Sequence, residues 1–343
     1  MIKSLSSLRF TFILFIFLHH CCGYAGGGSM GVAFFFVLGG FCMALGYKEK
    51  VLRDNFKYGQ YLTRRLIKFY PLHWLCLFAV IILASITSIP VTGGGRFPSF
   101  LLNLSLLHSW VPIKEVYFSY NSVSWYLANT IFFAVMFPFI FKWILRATNN
   151  GRICFATILA IAYIATVLLI PSEEWHAILY ISPYIRLTDF VFGIYLALAY
   201  NLIKETQWSQ KTFKNGTINM LLIVLSIALL VVESVILGNY QLVAPFYWPL
   251  LAIVILTATL SNQSGGLFAV LENKWLVRLG DSSFTFFMIH TIVLKFAKTN
   301  ILGAVLYYFV LTLLLTYIID RFILPSITRW LTKRIQPSMT ARS

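Results

Sequence analysis

About ten stretches of this chain run for close to twenty residues with almost no charge: 8–24, 30–47, 69–90, 123–145, 153–171, 178–200, 217–237, 242–260, 283–299 and 301–324. A helix needs roughly 20 apolar residues to cross the hydrocarbon of a bilayer. Inside hydrocarbon only helices and closed barrels satisfy their own backbone polar groups. Continuous apolar runs of this length select helices over barrel strands, which alternate. The expected fold is all-α, a polytopic membrane bundle of about ten transmembrane helices forming one domain, 1–343. Segment 97–111 is apolar but short and lies between Pro98 and Pro112, which predicts a re-entrant or interfacial piece. The composition agrees, with 59% hydrophobic and 11% charged residues, where soluble domains carry about 25% charged.

The formal net charge of +16 does not indicate a nucleic-acid partner. The basic residues sit between apolar runs instead of forming one stripe with interleaved aromatics. Cytoplasmic loops of membrane proteins are enriched in lysine and arginine. With both termini cytoplasmic, the 27 basic residues fall almost entirely inside, seven of them within 48–68. Arg96, Lys114, Lys295 and Lys298 are left outside, and Arg186 lies within a span. The first run follows Lys3 and Arg9 as a cleaved leader would, but His19-His20-Cys21-Cys22 is a poor cleavage region, so it reads as the first span. Cys21, Cys22, Cys42, Cys76 and Cys154 lie in or beside apolar segments without zinc-like spacing, so neither a metal site nor a disulfide framework is expected. The loops are too short for a soluble catalytic domain, which puts the chemistry within the bundle.

Ionisable groups inside a membrane are costly and therefore functional candidates. Arg9 and His20 are eleven residues apart. At 100° per residue the separation is about 20° past three turns, with a rise of roughly 16 Å. They share a face, with His19 about 80° away. This pattern suits an anion clamp below a general base, or an interfacial arginine below a capping histidine. Arg64, Arg65 and Lys68 cluster just before Pro71, suiting either a polyanion such as a nucleotide phosphate or positive-inside anchoring. Gly39 and Gly40, in the aromatic run GVAFFFVLGGF, allow close approach of a helix or a ligand. Arg186 and Asp189 are three apart and are expected to pair. His290 lies mid-depth in the ninth span, where a lone histidine is more often a satisfied core residue.

In order and spacing these segments resemble the acyltransferase-3 family, the integral-membrane O-acyltransferases that modify bacterial surface polysaccharides. The resemblance runs from about residue 5 to about residue 320. The family opens with Arg, ten residues and His, matched by Arg9 and His20. A glycine-led, Phe-rich run ending Ser-Gly-Phe follows, with Gly39 here at the Ser position and Ala33 where Asp is common. An Arg-x-x-Arg precedes an aromatic-Pro pair, matched by Arg65 with Lys68 as the second cation. A Trp-Ser-Leu segment is matched by Trp125 and Leu127, with Thr130 at the position of a family Glu. That substitution leaves Asn129 or Thr130 to hydrogen-bond an acceptor. YIRLTDFVFGIYL and LGDSSFTFFMIH, ending in His290, resemble the later spans.

The resemblance implies an acyl-CoA donor, most often acetyl-CoA, arriving from the cytoplasm, with no permanently bound cofactor and no metal. It implies a hydroxyl of a surface glycan, such as capsule or lipopolysaccharide, or of its lipid-linked precursor, as acceptor, and residence in the bacterial inner membrane. His20 and Arg9 then carry catalysis, and Arg65, Lys68 and Arg64 hold the donor. Trp125, Asn129, Thr130, His290, Arg186, Asp189, Gly39 and Gly40 serve the acceptor or support the site. No appended soluble domain is expected. Two rivals are a transporter or flippase for an anionic glycolipid, drawing on the intramembrane Arg186, Asp189, Glu233 and His290, and a non-catalytic assembly subunit.

Overall fold

The computed structural model describes residues 2–24, 26–53, 55–93, 96–261, 265–297 and 303–335. Among these there is no β-strand. Eight helices among the described residues are long and apolar enough to cross a membrane: α1 Lys3–Cys22, α2 Gly27–Val51, α3 Tyr58–Thr87, α6 Ser124–Arg146, α7 Asn149–Leu169, α8 Pro183–Ile203, α10 Gly216–Ile236, and the continuous stretch Ala304–Ile335. Two shorter apolar segments, Ala244–Leu260 and Ser283–Phe296, complete the set. Within Ala244–Leu260 a 3-10 turn leads into α11, Trp248–Leu260. Ser283–Phe296 is α13. The last long stretch is α14 Ala304–Ile318, a π-helical turn and α15 Leu324–Ile335. Smaller helices are α4 Phe97–Leu104, α5 Lys114–Tyr117, α9 Gln207–Thr212 and α12 Lys274–Asp281. The fold is an all-α polytopic membrane bundle.

Two boundaries differ from the sequence reading, and the short 97–111 segment agrees with it. The third span begins at Tyr58, so Arg64, Arg65 and Lys68 lie in a helix instead of a loop. The segment YLTRRLIK holds no breaker and several good helix formers, and extending an existing helix costs little. At thirty residues, α3 is about 45 Å long, some 15 Å more than the hydrocarbon core. Pro71 lies inside it. The 97–111 segment is not one helix. It holds the eight-residue α4 and a 3-10 turn, His108–Trp110, and at about 12 Å α4 cannot cross. The last stretch extends beyond 324 to Ile335. Residues 298–302, where two expected spans meet and where Lys298 falls, lie outside the described residues.

The chain forms two compact units: Met1–Arg53, Phe139–Tyr180 and Tyr184–Ser283 in the first, and Asp54–Pro138, Ile181–Pro183 and Phe284–Ser343 in the second. In the first unit, small residues let α1 seat closely. The Ser4 hydroxyl donates to the Ala258 carbonyl at 2.7 Å and that of Ser7 to Leu271 at 2.6 Å. A Cβ on Gly280 of α12 would collide with the Ser6 carbonyl. Helices α2 and α8 meet at paired glycines: a Cβ on Gly40 would strike the Phe190 carbonyl, and one on Gly193 the Val37 carbonyl. Small residues at helix crossings are how membrane helices pack when both lipid and partner are apolar. Most of α7 faces outward, with Ile153, Ile161 and Leu168 exposed, as a lipid-facing helix must be.

In the second unit, α3 holds the irregular segment after α4. The His73 Nε2–H donates to the Asn103 carbonyl at 2.8 Å, the Tyr70 hydroxyl to Ser105 at 3.0 Å and the Trp74 indole to Leu104 at 3.2 Å. Asn103 donates to the Ser119 carbonyl at 2.9 Å. Non-helical backbone at membrane depth persists only when protein satisfies it, and these bonds do so.

Orientation is testable by reporter fusions. Fusions after Lys57 and Gln207 should read cytoplasmic, and fusions at Gly93 and Glu173 external. An external signal after Lys57 would overturn the assignment.

Candidate functional site

Arg9 and His20 lie on α1, which is unbroken between them. Arg9 is half-buried, and its Nη2 lies 3.7 Å from Cys42 Sγ on α2. His20 is exposed, near the helix end that Gly23 caps in the left-handed conformation at φ 69°. His19 has a defined structural place. Its Nδ1–H donates to the Tyr24 carbonyl at 2.8 Å, and its ring occupies the space above Gly28. It braces the turn between α1 and α2.

Arg65 and Lys68 are one turn apart on α3, with Arg64 beside them. Arg65 lies over the Tyr61 ring at 5.6 Å, and the Tyr61 hydroxyl donates to the Ala134 carbonyl at 2.8 Å. Lys68 lies over Phe69 at 5.4 Å, itself edge-on to Phe284 at 5.2 Å. The cations stand on aromatic residues that are anchored elsewhere in the second unit. Arg64 and Lys68 are exposed and Arg65 half-buried.

Also in the second unit, Trp125 is buried and Asn129 fully so. The Asn129 amide donates to the Ile181 carbonyl at 2.8 Å, and the Thr130 hydroxyl to Tyr126, one turn back, at 2.9 Å. His290 is fully buried, and its Nδ1–H donates to the Phe287 carbonyl at 2.6 Å. That bond selects the tautomer with the lone pair on Nε2.

The first unit holds Gly39 and Gly40 against Phe190 and the Arg186–Asp189 pair. Gly39 is 3.8 Å from the Phe190 ring measured from an added Cβ, whereas Gly40 meets the Phe190 backbone. Arg186 and Asp189 form a 3.1 Å ion pair and are 1% and 0% exposed. The Trp248 indole N–H donates to the other Asp189 oxygen at 2.7 Å.

Sequence reasoning missed a buried polar set in the second unit. Ser124 Oγ donates to the Asn121 carbonyl at 2.7 Å. The His108 Nε2–H must therefore donate to Ser124 Oγ, at 3.1 Å. His108 is fully buried. The Asn121 amide donates to Met288 at 2.9 Å, and Thr291 donates to Asn121 Oδ1 at 3.0 Å, pinning α13. Thr285 donates to Asp320 at 2.5 Å. His73 and Asp320 were legible as ionisable groups within or at the end of spans. His108 and Asn121 carried no local signal. No cluster of three or more metal-ligating side chains occurs among the described residues.

Comparison with known proteins follows this geometry. The family described as an acyltransferase domain matches residues 2–321. Acyltransferase MdmB of Streptomyces mycarofaciens is 27% identical over 288 residues, 78% of this chain and 69% of that protein. No solved structure gives a significant match.

The two glycines should separate in stability. Gly39→Ser, the usual family residue, finds ordinary contact distance and should leave the thermal midpoint nearly unchanged. Gly40→Ala forces two backbones apart and should cost at least about 1–3 kcal/mol, read as a lowered melting temperature of the purified protein. Equal midpoints would show that the α2–α8 crossing is not close.

Proposed function

The chain belongs to the acyltransferase-3 family, and from that premise we propose that this membrane acyltransferase moves an acyl group, acetyl in the first instance, from cytoplasmic acyl-CoA to a hydroxyl of a surface glycan or its lipid-linked precursor in the bacterial inner membrane. The observation that carries the reading is the family match across residues 2–321, a range that includes Arg9, His20, Arg65 and Lys68.

In this reading Arg65, Lys68 and Arg64 hold the CoA phosphates. Arginine presents a planar fork to phosphate, and lysine a point charge. The aromatic seats of Arg65 and Lys68 limit the rotamer freedom that binding would otherwise remove. His20 takes the proton of the acceptor hydroxyl. The hydroxyl oxygen attacks the thioester carbonyl, the C–S bond breaks, and CoA leaves as the thiol with a proton returned to sulfur. Arg9, on the same helix, stabilises negative charge on the donor side. Asn129, Thr130, Trp125 and His290 shape the second unit around the acceptor. Gly39, Gly40 and the Arg186–Asp189 pair maintain the first.

Two comparisons test the assignment. Arg65→Ala removes a charge-assisted phosphate contact, about 1.5–3 kcal/mol, so donor KM should rise about ten- to a hundredfold while Lys68→Arg stays active. An unchanged KM in Arg65→Ala would reduce the cluster to a topology signal. His20→Ala should lower transfer by about 10²–10⁴-fold with an unchanged melting temperature. His19→Ala should do the reverse, losing the Tyr24 brace and melting temperature while keeping most of the turnover. Equal loss of turnover in both would mean that the end of α1 is merely disrupted.

A further inference from the structure

A cleft of about 420 Å³ lies at the C-terminal end of α3, lined wholly by residues of the second unit. Ser85, Ser88, Ile89, Pro90 and Val91 form one side and Tyr120 the other. Tyr120 is fixed from behind. Its amide donates to the Thr92 carbonyl at 3.0 Å, and its side chain belongs to a cluster with Leu77 and Val80 against which Ile292 and Phe296 pack. The next residue, Asn121, is bonded to Met288 and Thr291 of α13. Among the described residues, three that are not glycine have left-handed backbone. Two of them, Ser88 at φ 54° and Tyr120 at φ 57°, line this cleft. Backbone strain of this kind collects at ligand clamps.

The cleft also holds polar groups left unpaired. Tyr120 is 8% exposed, yet its hydroxyl has no hydrogen-bond partner among the described residues and is not sealed from the cleft. A phenol can both donate and accept. The end of α3 adds acceptors. If the helix continued, the carbonyls of Ser85 and Ile86 would take the N–H groups of residues 89 and 90. The Ile89 N–H turns instead to the Thr87 hydroxyl at 3.4 Å, and Pro90 has no N–H to give.

Charge and shape select the ligand. No charged side chain among the described residues lines the cleft, and the C-terminal end of a helix carries negative partial charge, which disfavours an anion. A plain hydrocarbon would leave the Tyr120 hydroxyl and the carbonyls without partners. A neutral pyranose meets every demand. Its hydroxyls donate and accept, and its C–H face suits Ile89, Pro90 and Val91.

We propose that this cleft binds one neutral pyranose unit of a glycan, with sugar hydroxyls on the Tyr120 hydroxyl and the last carbonyls of α3 and the C–H face on residues 89–91. That this sugar belongs to the acyl acceptor rests on the acyltransferase reading above, which puts the acceptor in the same unit; the binding itself does not.

The probes are the methyl glycosides of glucose, galactose, mannose, rhamnose and N-acetylglucosamine. Each is titrated without acetyl-CoA into the full chain in a polyoxyethylene detergent, which has no sugar headgroup, and followed by saturation-transfer NMR. At least one should bind, with its ring C–H signals saturated most strongly. The methyl glycosides of glucuronic and galacturonic acid should bind more weakly than the best neutral probe. Tyr120→Phe keeps the ring and removes the hydroxyl, and should weaken that probe about five- to tenfold at an unchanged melting temperature. Ser85→Trp fills the cleft from an exposed position on α3 and should weaken it about tenfold or more. No binding of any neutral probe to the wild-type chain, tighter binding of a uronate, or wild-type affinity in either variant would overturn the site. Acyl transfer is assayed separately, so loss of transfer with sugar binding intact would count against the acyltransferase reading alone.

Discussion

Hydrocarbon offers no hydrogen bonds, and the structure is arranged around that deficit. Each polar group carried into a span must find a partner within the protein, and the partner is usually a backbone carbonyl. Thr130 and Thr312 turn back one turn along their own helices. Asn129 and Asn121 reach across to Ile181 and Met288. Such bonds hold positions that apolar packing alone would leave to slide, since lipid tails are as apolar as leucine. In each unit, polar side chains and close glycine contacts therefore do the positioning, and the large apolar residues fill the space between. Among the described residues the rule has exceptions, such as the Nε and Nη2 of Arg186 and the hydroxyls of Ser261 and Tyr247.

The glycine crossing of α2 and α8 shows how packing positions chemistry. With Gly40 against the Phe190 carbonyl and Gly193 against the Val37 carbonyl, Phe36, one turn before Gly40 on the same helix, lies beside the Arg186 guanidinium. The run GVAFFFVLGGF thus serves two purposes. Its glycines set the distance between helices, and its phenylalanines provide the face against which a buried cation rests. At such a site cation–π attraction reaches about 2 kcal/mol when the ring is desolvated.

The fold was largely legible because hydropathy is a local property: nineteen or twenty apolar residues report a span regardless of their neighbours. The Arg186–Asp189 pair was legible for the same reason, since residues three apart on a helix face each other. The start of α3 was misplaced because charge marks the end of a membrane segment but not of a helix, and YLTRRLIK continues as a helix beyond the apolar run. The distinction between Gly39 and Gly40 was invisible, since it depends on where α8 crosses. Trp248 as a partner of Asp189, 59 residues away, and the His108–Ser124–Asn121–Thr291 chain are tertiary and have no periodic signature. Helical arithmetic puts His19 about 80° from the face of Arg9 and assigns it no partner. The turn after α1 brings the Tyr24 carbonyl back to it, a consequence of the Gly23 cap that helical arithmetic does not contain.

The central claim is that this bundle transfers an acyl group from a CoA thioester to a hydroxyl. The most direct measurement uses the full chain in proteoliposomes with acetyl-labelled acetyl-CoA and glycan-bearing membranes as acceptor. The account predicts CoA thiol released in step with label bound to glycan, and that label removed by hydroxylamine as an ester is. Acetyl-CoA left intact, or label bound in hydroxylamine-resistant form, would contradict it.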